Sequence, residues 1–150
     1  METTGSVLKT VGDVLDTAEK YTSAFNDFLA DVRDRASDGS VRLMAQYLSK
    51  FRRHLRETLA CFSAADLSHI RSLPLKTGGS EFVVDRCFSG RFVAATAEPA
   101  ELLGHGVELV EALVSLYDWI DAQDISPDAR VLIKDLLSKG ELALSDLKKL

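Results

Sequence analysis

A chain of 150 residues, 46% hydrophobic and 27% charged with a net charge of -5, has the size and balance of a single globular domain spanning 1-150. No run approaches the roughly 18 apolar residues of a membrane-spanning helix, and Met1-Glu2-Thr3-Thr4-Gly5 lacks the basic-then-apolar pattern of a secretory signal, so a cytoplasmic protein is expected. Cys61 and Cys87 are too few for a disulfide framework and have no zinc-type spacing; both are expected to be buried or half-buried thiols. The mildly acidic balance gives no broad electrostatic reason to bind nucleic acid or an anionic membrane.

From Ser6 to Ala36 the residues Val7, Val11, Val14, Ala18, Tyr21, Phe25, Phe28 and Val32 recur at spacings of four and three, the stripe of a long amphipathic helix. Ser37-Asp38-Gly39-Ser40 ends it, with Gly39 suited to a positive φ and Ser40 to capping the next helix. That helix, residues 41-62, carries Met44, Tyr47, Leu48, Phe51, Leu55, Thr58, Leu59 and Phe62 on one face. Arg42, Lys50, Arg52, Arg53 and Arg56 fall mostly on the other, and such a charge run is expected to be a solvated face, since no aromatic residues interleave it for base stacking.

Residues 63-96 form a crossover, in which Ser63-Ala64-Ala65-Asp66 caps a short helix to about Leu73 and Phe82-Val83-Val84 is a short extended piece. A third helix, residues 97-123 with Thr96 as its cap, carries Leu103, Val107, Val110, Leu113, Val114, Tyr117 and Ile120. Asp124-Ile125-Ser126-Pro127-Asp128 combines a capping serine with proline at the first helical position and opens a fourth helix over 127-149, burying Ile133, Leu136, Ala143 or Leu144, and Leu147.

Two helical hairpins joined by a long crossover predict an all-α, antiparallel four-helix bundle, and this arrangement resembles the ferritin-like superfamily, in particular its rubrerythrin-related branch. The resemblance implies a Glu from the first helix of each hairpin and a Glu-x-x-His from the second, converging on a di-iron centre. Phe51-Arg52-Arg53-His54 keeps the histidine and has phenylalanine for the glutamate; Glu141-Leu142-Ala143-Leu144 keeps the glutamate and lacks the histidine. Glu19 and Glu111 stand on the first and third helices, and Glu111 precedes Glu141 by 30 residues.

Helical register divides these residues into two sets. At about 100° per residue, Glu19, Glu111 and Glu141 each follow an inward position by one and are turned toward solvent. The inward set is then Ala18, Phe51, His54, Val110, Gly140 and Ala143, in which Val110 and Gly140 are also 30 residues apart. Glycine inside a helix costs about 1 kcal/mol relative to alanine. Gly140 is therefore expected, with Ala18 and Ala143, to make room for a Phe51 ring standing where metals sit in active relatives.

The sequence thus points to a ferritin-like bundle that has lost its di-iron chemistry, holds no cofactor, and acts as a binding or assembly module. The alternative is an iron-binding oxidoreductase with one metal on Glu19, His54, Glu111 and Glu141, which requires the helices to rotate. A third reading is a small-molecule binder using a cavity around Ala18, His54 and Gly140. His69 and His105 have no metal spacing, Gly104-His105-Gly106 is no phosphate loop, and three histidines are too few for a hemerythrin-like site. On the third helix, Leu102, Leu109, Leu116, Trp119 and Ile120 widen the apolar arc beyond the bundle-facing stripe, suggesting a homodimer through that helix or cover from the crossover.

Overall fold

The computed structural model describes residues 9-76 and 98-150, and the regular elements among them are all helical. In chain order they are α1 (Val11–Arg35), α2 (Gly39–Leu48), α3 (Phe51–Ala60), α4 (Ala64–Ser72), α5 (Pro99–Asp121) and α6 (Pro127–Lys148). None of these helices is long and apolar enough to cross a membrane. Thr96, the extended piece at Phe82-Val83-Val84, and Cys87 lie outside the described residues.

α1 starts at Val11 and not at Ser6, because Thr10 and Asp13 form a reciprocal cap. The Asp13 N–H donates to Thr10 Oγ1 at 3.1 Å and the Thr10 N–H to Asp13 Oδ2 at 3.0 Å. Thr10 is extended, and here the chain makes a short antiparallel pairing with the exit from α4: the Val11 N–H donates to Leu73 O and the Leu75 N–H to Lys9 O. The next boundary also differs from expectation. Asp38, not Ser40, caps α2 by accepting the Ser40 N–H at 2.9 Å, and Gly39 opens the helix without a left-handed φ. An acid there also meets the positive end of the helix dipole, which a serine cannot exploit.

The expected single helix over 41-62 is divided at Ser49-Lys50. The Ser49 N–H bonds to Gln46 O, three residues back, and the Ser49 hydroxyl donates to the same carbonyl at 2.7 Å. That is one tightened turn, with a serine side chain competing for backbone partners. The buried stripe nevertheless runs on across it at spacings of three and four. The buried residues run Val41, Ala45, Leu48, Phe51, Leu55, Thr58. Tyr47, expected inward, is instead 36% exposed with Lys50 Nζ over its ring.

Ser63 caps α4 through the Asp66 N–H, and Ser126 caps α6 through the Ala129 N–H. α5 begins at Pro99 behind a Glu98/Glu101 capping box. Arg130 locks the α5–α6 turn, donating to Asp121 O, Asp121 Oδ1 and Gln123 O. α1 packs on α2, α3, α4 and α5; α2 lies against α5, α3 against α6, and α5 along the length of α6.

The wide apolar arc of α5 is covered by the chain's own fold. Leu102, Leu109, Leu116 and Ile120 are buried and Trp119 is half-buried. The large apolar side chains left exposed include Leu43 on α2 and Val131 and Leu142 on α6. Cys61, the C-terminal cap of α3, is an exposed free thiol, contrary to expectation.

Three helix glycines mark close approaches, the first being Gly12, where a Cβ would stand 2.9 Å from Arg71 O as α4 passes the start of α1. A Cβ at Gly106 would stand 2.8 Å from Leu48 Cδ2, where α2 crosses α5. A Cβ at Gly140 would stand 2.9 Å from Val114 Cγ2, where α5 runs along α6. Gly140 is therefore needed by the hairpin contact with Val114, and not, as the sequence suggested, to make room for Phe51. Gly104, exposed on α5, has open space around it. Gly104→Ala should stabilise by about 1 kcal/mol and raise Tm by roughly 2–4 °C. Gly106→Ala should lower Tm, the overpacking against buried Leu48, about 1–3 kcal/mol, exceeding the helix gain. Thermal unfolding followed by circular dichroism compares the two.

Candidate functional site

Where the two hairpins meet, α3, α5 and α6 enclose a cavity of about 40 Å³ that is open on one side. Phe51, His54 and Leu55 line it from α3, Val110, Leu113 and Tyr117 from α5, and Leu136, Lys139, Gly140 and Ala143 from α6. Five residues of the inward set thus share one wall. The sixth, Ala18, is completely buried but does not reach the cavity; α1 contributes Thr22 instead, one turn on, whose hydroxyl donates to Ala18 O at 2.8 Å. The volume suffices for roughly three waters and for no larger ligand. A small-molecule site around Ala18, His54 and Gly140 therefore lacks the necessary room.

Phe51 is buried and meets the His54 ring edge to face, with centroids 6.4 Å apart. His54 is half-buried. Burial, and then the cations of Lys50, Arg53 and Lys139 working against Glu57, hold its pKa below the ordinary 6.5. Burial pushes the Tyr117 phenol far up, so it is neutral at any physiological pH.

The carboxylates of the alternative one-metal set do not join His54. Glu19 turns to the outer side of α1, where its Oε2 accepts from Ser23 Oγ at 2.8 Å, Arg52 Nε at 3.0 Å and Arg56 Nη2 at 3.3 Å. Burial alone would raise its pKa, but these hydrogen bonds and the Arg56 charge outweigh it and leave the carboxyl below its ordinary value. Glu111 is exposed and faces Lys148 Nζ at 3.7 Å, and Glu141 is exposed. Among the described residues no three His, Cys, Asp or Glu side chains come together as a metal site. An iron ion needs several oxygen or nitrogen donors at once, and one histidine cannot meet that need. Among the described residues, the several donors that iron would need are not gathered at His54.

Beside the cavity lies a polar cluster that the sequence reading missed. Thr58, counted there as part of an apolar stripe, is buried; its hydroxyl donates to Asp135 Oδ2 at 2.8 Å and accepts from Lys139 Nζ at 2.6 Å. Lys139 also pairs with Asp135 at 3.1 Å, closing a three-membered bridge between α3 and α6. Burial would raise the Asp135 pKa, and the Thr58 and Lys139 hydrogen bonds lower it by more. The only available signal was the i, i+4 spacing of Asp135 and Lys139, and nothing in one helix reveals which residue of another will complete it.

Compared with protein-family models, with curated proteins and with solved structures, the chain matches none.

The cavity's protonation chemistry makes a prediction. A histidine whose folded pKa lies below its unfolded value leaves the unfolded state binding more protons as pH falls past about 6.5, so stability drops there and levels off below the folded pKa. The depressed Glu19 and Asp135 act in a lower window, below about pH 4.5. Urea midpoints of the wild type should therefore fall between pH 7.5 and 5.5, with a shallower fall in His54→Leu. Equal slopes would refute the assignment to His54.

Proposed function

We propose that this chain is a ferritin-like four-helix bundle whose di-iron centre has been replaced by packing, and that it works as a binding or assembly module without iron chemistry. One observation carries the reading. The positions that the resemblance assigns to inward ligands converge on a single small cavity as Phe51, Val110, Gly140 and Ala143 with His54, while Glu19, Glu111 and Glu141 are turned outward. Bringing those three carboxylates inward would take a rotation of about 100° in three helices. It would also break the Glu19 pairs with Arg52 and Arg56 and carry buried Ala18, Val110 and Ala143 off the core face.

The division of the second helix fits a protein whose contacts are structural. α2 serves α5 and α3 serves α6, so the two hairpins are held together at both ends of the break. Exposed Leu43, Val131 and Leu142 offer contact surface on α2 and α6.

Elemental analysis of protein from iron-supplemented cells, with anaerobic iron(II) titration monitored by thermal unfolding, tests the reading. Iron well below one equivalent and no concentration-dependent rise in Tm are expected. Stoichiometric iron whose stabilisation disappears in His54→Ala would overturn it and restore the one-metal oxidoreductase.

A further inference from the structure

The cavity at His54 has no room for a metabolite, yet about 40 Å³ accommodates a molecule of two or three heavy atoms, and its wall restricts the kind. Tyr117 is the informative residue. Only 4% of it is exposed, burial is the sole influence on its pKa, and its phenol hydrogen-bonds to nothing among the described residues. A buried polar group left in that state is destabilising until a partner arrives. Among the described residues, the side-chain atoms that are both unpaired and sealed from solvent are Asn26 Oδ1 and Gln123 Nε2. The Tyr117 oxygen is not one of them, so a molecule the size of water reaches it. Since Tyr117 lines the cavity and is otherwise buried, the approach is from the cavity.

The rest of the wall narrows the guest further. Phe51, Leu55, Val110, Leu113, Leu136 and Ala143 are apolar. Two of the polar groups are already engaged: the Thr22 hydroxyl donates to Ala18 O, and Lys139 is held by Thr58 and Asp135. An ordered water makes about three hydrogen bonds, and such a wall cannot supply them for three waters. An alkyl group that displaces poorly bound water from it gains affinity. A charged guest is disfavoured, because the Lys139 cation is matched by Asp135 at 3.1 Å and the apolar wall offers no counter-charge. The guest that fits is neutral, with one hydrogen-bonding end and an alkyl remainder. A hydroxyl suits that end, since it accepts from the phenol and can donate to the neutral His54 imidazole or to the lone pairs of Thr22 Oγ.

We infer that this cavity is a binding site for a short-chain alcohol of one or two carbons, its hydroxyl oxygen accepting from the Tyr117 phenol and its alkyl group lying against Val110, Leu113 and Leu136. The inference rests on the iron-free reading of the cavity and names a ligand class for the binding module proposed there. With so few heavy atoms, the affinity cannot be much tighter than millimolar.

The test is a titration of the purified full chain with ethanol and with tert-butanol, followed by NMR of the methyl groups of Val110, Leu113 and Leu136. Ethanol should shift these signals saturably with a millimolar midpoint, and tert-butanol, too large for the cavity, should not. Tyr117→Phe keeps the ring and removes the O–H. It should not lower the ligand-free Tm, because no hydrogen bond is lost, while weakening ethanol binding roughly three- to tenfold. Shifts that rise without saturating, tert-butanol acting as strongly as ethanol, or an ethanol affinity unchanged in Tyr117→Phe would each overturn the inference and leave the iron-free reading standing. Stoichiometric iron at His54, detected by the elemental analysis described above, would overturn both.

Discussion

Much of this molecule follows from one short turn. At Ser49 the backbone N–H and the side-chain hydroxyl both reach Gln46 O, tightening the helix by part of a turn. The buried stripe continues through it from Leu48 to Phe51, Leu55 and Thr58. Beyond it Phe51, Leu55 and Thr58 face α6, and Arg52 and Arg56 stand beside Glu19 of α1. An unbroken helix would hold one face against one neighbour; the broken one serves α5 with its first half and α6 with its second.

The distribution of charge completes the picture. A di-iron bundle concentrates carboxylates at its centre and lets the metals neutralise them. Here the carboxylates stand at the rim and are neutralised by side chains: Glu19 by Arg52 and Arg56, Asp121 by Arg130 and Lys134, Asp135 by Lys139 with the Thr58 hydroxyl, Glu111 by Lys148. Exposed pairs of this kind contribute little stability individually. Their value is positional, because several join different helices and set how those helices are rotated. Among the described residues the centre is packed with apolar side chains such as Phe51, Leu55, Val110 and Ala143.

The helical pattern was largely legible in the sequence, since period and capping chemistry are local. The Ser126-Pro127 start and the Ser63 cap could be read directly, and Thr10 with Asp13 offered a capping box that the wider stripe obscured. The inward register of Val110, Phe51 and Ala143 was accessible for the same reason: a side chain's direction follows from its place in the helical repeat. What could not be read depends on partners far away in the chain. Gly140 looked like space for Phe51 and proved to be space for Val114. Thr58 looked apolar by position and proved to be the polar link between α3 and α6, 77 residues from Asp135. The arginine face is largely exposed, as expected, but Glu19, the partner of Arg52 and Arg56, lies on another helix and could not be foreseen.

The pairing of Lys9 and Val11 with Leu75 and Leu73 also has a meaning for how the molecule comes apart. It closes a loop of roughly 65 residues around α1 to α4, and the loop-closure entropy is recovered only once those helices are in place. The α5–α6 hairpin, joined by a short turn and clamped by Arg130, has no such debt and can form from local contacts. The two halves therefore differ in how much long-range closure their contacts require. The Leu75 amide is the latch, and its exchange with solvent reports the opening of the whole first lobe and not the fraying of one strand-like residue.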